Sequence, residues 1–193
     1  MKKKILVVAA HPDDEVLGCG GSIARHIQEK DEVRIVIFGE GPTARLKRKT
    51  DRKNNAMNES QAALKILGVK RVDFLGYKDQ LFEEIPQLEF ARRIESTLRI
   101  YKADRVYTHC PRDLNLDHRR VAEAVMVACR PVPGASVKQI FFWETLSSTE
   151  WIPPGDTFKP NLFIDISGTL TKKRKALQAY KSEIRKFPHP RSL

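Results

Sequence analysis

Residues Ile5-Leu6-Val7-Val8-Ala9-Ala10 form an unbroken apolar run that stops at His11-Pro12. Continuous apolarity closed by a turn signal marks a strand buried on both faces, so a first strand is predicted over Lys4 to Ala10. The spacing then changes. Val16, Leu17, Ile23 and Ile27 recur at helical intervals and predict a helix from Asp14 to Gln28. Val33 to Phe38 reads as a second strand. Gly39 to Asp51, polar, basic and punctuated by glycine and proline, reads as a mobile loop. A helix over Asn54 to Leu67 follows, with Gly68 as its stop. Val72 to Leu75 is a third strand, Pro86 to Tyr101 a helix, Arg105 to Thr108 a fourth strand and Asp117 to Cys129 a helix. Ile140 to Trp143 and Leu162 to Ile166 read as later strands, and Thr169 to Lys186 as a final basic helix. This alternation predicts an α/β fold: a mostly parallel sheet with helices on both faces.

The chain has 193 residues, 41% of them hydrophobic. That length suits a single domain, 1–193, with a sizeable core, and no repeat or long linker divides it. No apolar stretch reaches the roughly 18 residues of a transmembrane helix. The basic start could open a signal peptide, but its apolar run is short and ends at His11-Pro12-Asp13-Asp14-Glu15, so a cytoplasmic protein is expected. Cys19, Cys110 and Cys129 have no C-x-x-C spacing and are odd in number, which predicts free thiols used for packing.

The formal charge is +11, with basic clusters at Arg45 to Lys53 and from Lys172 onward. These clusters are either solvated faces or a surface for an anionic partner. Nucleic acid is not expected, because no zinc-finger spacing, RNP-like aromatic motif or basic heptad region is present. A phosphate-bearing sugar, a nucleotide sugar and an anionic membrane surface suit the charge equally.

Ligands of parallel sheets sit beyond the carboxyl ends of the strands. Two polar segments, His11 to Glu15 and Asp113-Leu114-Asn115-Leu116-Asp117-His118, each follow a strand and should therefore meet. His11, Asp14 and His118 offer two imidazoles and a carboxylate, a set suited to catalytic zinc with an open coordination position, and also to ferrous iron or another divalent metal. An isolated histidine or acidic run is commonly a cap. Two acid-histidine segments at the ends of neighbouring strands are harder to explain that way, and buried carboxylates need a cation or a partner. Asp13, next to a ligand, is placed to take the proton of metal-bound water, the nucleophile, and to return it to a leaving amine. Glu15 is either a group supporting the ligands or a helix N-terminal charge.

Ala10-His11-Pro12-Asp13-Asp14-Glu15 with Gly18 and Gly20-Gly21, and Thr108 through Arg120, together resemble the two signatures of the PIG-L/LmbE zinc-dependent deacetylases. Ser147-Ser148-Thr149-Glu150-Trp151 and Pro188-His189-Pro190-Arg191-Ser192 resemble segments of one bacterial branch. The resemblance covers essentially the whole chain. It implies a Rossmann-like three-layer fold and a metal-dependent N-deacetylase that removes acetate from an N-acetylglucosamine-type sugar. It also implies zinc on His11, Asp14 and His118, with Asp13 as general base. Many members carry histidine where this chain has Asn115. Asparagine can donate a hydrogen bond to an oxyanion but cannot act as a general acid, and the alternative role for Asn115 is a turn or cap.

Arg45, Arg48 and Arg52 are candidates for substrate binding, Arg52 foremost, and Asp79 resembles an acidic position near the sugar. Asp113 and Asp117 are expected to support the ligands, and His109 to pack or support them. Relatives of this branch continue past Ser192, so a truncated C-terminal end is an expectation, with His189 either a site residue or an exposed tail residue. The rival readings are a catalytically inactive sugar- or nucleotide-binding protein of the same fold and, more weakly, a phosphoesterase. A homo-oligomer is compatible with all of them.

Overall fold

A computed structural model describes residues 2–41, 49–151 and 158–192, the side chains of 49–54 excepted. Its elements run β1 (Lys4–Ala9), α1 (Asp14–Gln28), β2 (Glu32–Gly39), α2 (Lys49–Leu67), β3 (Arg71–Tyr77), α3 (Gln87–Tyr101), β4 (Arg105–His109), α4 (Leu116–Ala128), β5 (Gln139–Trp143) and α5 (Leu170–Ala179). The five strands form one sheet in the order β3-β2-β1-β4-β5, every pair parallel. The expected α/β class, with a parallel sheet between helical layers, is the fold observed.

β1 explains the layering. Its alternate side chains Ile5, Val7 and Ala9 join a core with α1, α2 and α5, through residues such as Ile23, Leu64 and Ala176. Leu6, Val8 and Ala10 join a second core with α3 and α4, through Phe90, Ile94, Val121 and Val125. A strand with both faces covered has no position for a polar side chain, hence the unbroken apolar run. The strand order reverses between β1 and β4, the switch point where such sheets open a crevice. The chain after β1 and the chain after β4 therefore emerge side by side.

α1 is interrupted at Cys19 (φ −130°, ψ 19°), beside Gly18, Gly20 and Gly21. Here small residues allow close approach. Gly18 lies under the Trp143 indole, and a Cβ on Gly21 would sit 2.6 Å from Ile166 Cδ1. The Leu17 carbonyl at this interruption accepts a hydrogen bond from Lys173 Nζ of α5 at 2.8 Å.

Three expectations need correction. α2 starts at Lys49, inside the segment read as a loop, whose residues 42–48 lie outside the described residues. α5 ends at Ala179 rather than Lys186, because Tyr180 turns into the core and Ser182 is tied back to Glu59 by hydrogen bonds of 3.2 and 2.6 Å. Leu162 to Ile166 forms no strand. Ile164 packs on the α1 core, Ile166 meets Gly21, and Arg25 Nη1 donates to the Asp165 carbonyl at 2.9 Å, while Leu162 and Phe163 are 53% and 81% exposed. A short apolar run reports which side chains seek a neighbour, not whether a ladder forms, and here the neighbour is a helix.

Candidate metal centre and active site

The chain leaves β1 through His11 and enters α1 at Asp14. Asp13 bridges them in a backbone state rare for a side chain with a Cβ, with φ of 111°. Its amide donates to Glu15 Oε2 at 3.2 Å, and Glu15 Oε1 accepts from Tyr180 Oη at 2.7 Å. Glu15 thus holds the backbone of the turn rather than a ligand, and burial pushes its carboxyl up to about 7. Asp14 Oδ2 accepts the His11 amide at 2.8 Å, closing the turn.

The segment after β4 supplies the other half. Asn115 caps α4, its Oδ1 accepting the Asp117 amide at 2.9 Å. Asn115 is therefore a helix cap, and its amide nitrogen remains for another acceptor. Asp117 Oδ2 lies 2.8 Å from His11 Nε2 and also accepts the Gln80 amide at 2.8 Å, while Oδ1 accepts the Phe82 amide at 3.2 Å. Asp79 Oδ1 stands 3.2 Å from the same His11 nitrogen. His11, Asp79 and Asp117 form a second metal-capable grouping, but the hydrogen bonds on Asp117 make it a set that orients the imidazole. His118 Nδ1 lies 3.2 Å from Asp113 Oδ1, an ion-pair distance without good hydrogen-bond alignment.

With those outer nitrogens engaged, His11 Nδ1 and His118 Nε2 face Asp14 Oδ2 at 3.4 and 3.3 Å. One donor atom from each of His11, Asp14 and His118 lies within 4.8 Å of the others, and all three residues are buried. Bonds of about 2.0–2.2 Å to a tetrahedral ion place its ligand atoms roughly 3.3–3.6 Å apart, so this donor set fits zinc. His109, fully buried, accepts the Ala10 amide at Nε2 (2.9 Å) and stacks beneath His118 with ring centroids 4.1 Å apart. It is therefore a neutral packing partner.

The electrostatics point the same way. Burial alone would lower both ligand imidazoles, yet Asp117 and Asp14 hold His11 well above its ordinary range, and Asp14 and Asp113 lift His118 to about 9. Burial would raise Asp14, but the histidines around it keep its carboxyl well below the usual range. Desolvation raises Asp13 far above a normal carboxylate, with Arg191 pulling it back. Carboxylates crowded around two imidazoles create a buried site whose charge balance favours a cation.

Two later segments complete the site. Arg191 Nη1 donates to Asp13 Oδ2 at 2.9 Å, and its Nε donates to Ser147 Oγ at 2.8 Å. His189 is half-buried, and its Nδ1 accepts the Arg191 amide at 3.0 Å, so it braces a local turn. A small cavity of about 70 Å³ beside Asp13 is bounded by Leu17, Leu146, Leu177 and Ile184. The structure thus brings together His11, Asp13, Asp14, Asp79, Asp113, Asn115, Asp117 and His118. Arg45 and Arg48, and the side chain of Arg52, lie outside the described residues. Sequence reasoning noted the Ser147–Trp151 and Pro188–Ser192 segments without assigning Arg191, Ser148 or Thr149 a task, and it missed Tyr180 altogether. The motif similarity was the available signal for the first three. Nothing local marks Tyr180. All three cysteines are free and buried, as expected of packing groups.

Comparison with known proteins places this architecture. The chain is 36% identical over 189 residues to the uncharacterized deacetylase YaiS of Escherichia coli, covering 94% of this chain and 92% of that one. It is 29% identical over 197 residues to a 4-oxalmesaconate hydratase of Pseudomonas putida, covering 92% and 72%. Its fold superposes on N,N'-diacetylchitobiose deacetylase from Pyrococcus horikoshii with a TM-score of 0.76 at 24% identity, over 95% of this chain and 71% of that one. Residues 6–129, which hold both polar segments and the strands that present them, match the GlcNAc-PI de-N-acetylase (PIG-L) family model, and the chain belongs to that family.

Proposed function

We propose that the chain is a zinc-dependent hydrolase that releases acetate from an N-acetylglucosamine-type sugar or sugar conjugate. One observation carries the reading: His11 Nδ1 and His118 Nε2 each stand at a tetrahedral-ion separation from Asp14 Oδ2, with Asp13 adjacent in the chain and held by Arg191. The deacetylases among its relatives support the same reaction class. A cation held by His11, Asp14 and His118 would supply Lewis acidity and bring the pKa of a bound water down to about 7. Ferrous iron would satisfy the same donors.

The protein's own groups do the rest. Asp13 takes a proton from the attacking water as oxygen adds to the acetyl carbon, and returns it to nitrogen as the C–N bond breaks, leaving acetate and a free amine. Its raised pKa suits a group that must both accept and give back that proton. Arg191 aims the carboxylate. Asn115 keeps Oδ1 on the Asp117 amide and turns its NH₂ toward the oxyanion, donating a hydrogen bond where a histidine donates in other members. Asp79 accepts from a sugar hydroxyl, and Arg52 binds an anionic part of the substrate. No helix among the described residues is long and apolar enough to cross a membrane, and a cytoplasmic setting is part of this reading.

Because one relative is a hydratase, acetate release decides the matter rather than family membership. A panel of N-acetylated sugars, free, phosphorylated and glycosidic, should yield acetate and a free amine from at least one member, and a chelator should abolish the release. Zinc binding at one ion per chain with no acetate from the panel would favour the inactive sugar-binding alternative.

A further inference from the structure

Asp113 is fully buried and accepts several hydrogen bonds. Ser148 Oγ donates to Oδ1, Thr149 Oγ1 donates to Oδ2 at 2.7 Å, and the Asn115 amide donates to Oδ1 at 2.8 Å. His118 Nδ1 stands 3.2 Å from the same Oδ1. The two hydroxyls come from a turn that is itself pinned. Glu150 Oε1 accepts the Ser147 amide at 2.6 Å, and Oε2 accepts the Ser148 amide at 3.0 Å. Thr149 Oγ1 accepts the Thr145 amide at 2.7 Å, which directs its own proton toward Asp113. Ser148 and Thr149 are both buried.

A carboxylate held in one orientation fixes the imidazole that it faces. With Asp113 Oδ1 3.2 Å from Nδ1, that nitrogen is the one to keep its proton when Nε2, 3.3 Å from Asp14 Oδ2, gives its lone pair to a cation. A carboxylate free to rotate would not enforce that tautomer or ring plane.

We infer that Ser148 and Thr149 are positioning residues which, by fixing Asp113, orient His118 for a divalent cation. This rests on the hydrolase reading above. A merely structural turn would be a competing role, and it predicts a different result.

The test is zinc affinity, by competition with a chromogenic chelator, in full-length Ser148→Ala, Thr149→Val and the double variant. Thermal unfolding of each metal-free protein runs in parallel. Loss of the hydroxyls should weaken zinc binding by about 10–100-fold, as removing outer partners of metal ligands commonly does. Thr149→Ser and Ser148→Thr, which keep the hydroxyls, should restore it. Ser148→Ala leaves the Thr145 contact intact, so it reports even where Thr149→Val unfolds. Zinc affinity equal to wild type in folded Ser148→Ala and Thr149→Val, with only the unfolding midpoint lowered, would overturn the inference and leave the deacetylase reading intact. Tight zinc binding by the wild type, weakened in the variants, with no acetate released by any of them, would uphold the inference and remove the deacetylase reading.

Discussion

Asp13 sits at φ 111°, a backbone state that costs of order 1–3 kcal/mol for a non-glycine residue and persists only where its surroundings impose it. Glu15 on the amide and Arg191 on the carboxylate are those surroundings. Strain held by the buried Glu15 and the half-buried Arg191 beside a candidate metal site is what a preorganised base requires. Asp13→Ala should lower turnover by about 10²–10⁴-fold with zinc still bound at one ion per chain, measured by acetate release and metal analysis. Full activity in that variant would remove Asp13 as the base. The two ends of Asn115 allow its cap and its proposed oxyanion contact to be tested separately. Asn115→Asp keeps an oxygen for the Asp117 amide and loses the NH₂, so the unfolding midpoint should stay near wild type while kcat falls. Asn115→Ala should lose both, with about 1 kcal/mol of stability gone with the cap. Equal kcat in Asn115→Asp and wild type would leave Asn115 a cap and nothing more.

At the scale of elements, α1 is a helix that had to be thinned. Its glycine-rich face meets Trp143 at the end of β5 and Ile166 in the segment before α5, and the Leu17 carbonyl at its interruption is capped by Lys173. Gly21→Ala would drive a Cβ to 2.6 Å from Ile166 Cδ1 and 2.9 Å from its Cβ, so the whole side chain must move. Overpacking of this kind costs about 1–3 kcal/mol, read as a lower denaturant midpoint with an unchanged slope. A Gly21→Ala protein as stable as wild type would mean that the 158–166 segment shifts freely. The sequence announced α1 through its apolar spacing but not its contact with this segment. The apolar residues of Leu162 to Ile166 read as a strand, and the partner turned out to be the helix.

For the whole molecule, folding assembles the donor set from positions more than 100 residues apart, so a bound cation links the two halves of the sheet. At free zinc of about 1,000 times Kd, that linkage stabilises the native state by about 4 kcal/mol, or roughly 8–16 °C for a domain of this size. Saturating chelator should lower the thermal midpoint by that much, and added zinc should restore both midpoint and acetate release. An unchanged midpoint on chelation would show that no ion is held in the native state. The charge of +11 also acts at this scale. If a phosphate-bearing sugar is the substrate, its KM should rise between low and physiological salt while that of a neutral analogue stays constant.

Local information made much of this protein legible. The apolar run of β1, the helical spacing of α1 and the turn chemistry of His11-Pro12 are consecutive in the chain, and burial on two faces leaves no choice about which residues occupy such a strand. Parallel topology then follows from alternation, and the meeting of the two polar segments follows from parallel topology. Tertiary structure alone decided which nitrogen of each histidine faces inward, since that is fixed by Asp117 and Asp113 on the opposite nitrogens. It also decided that Tyr180 ends α5 by reaching Glu15, and that Arg191 comes to rest on Asp13 from 178 residues away. Such contacts depend on how loops close over the sheet, and a lone tyrosine, serine or arginine carries no periodicity from which that closure can be read.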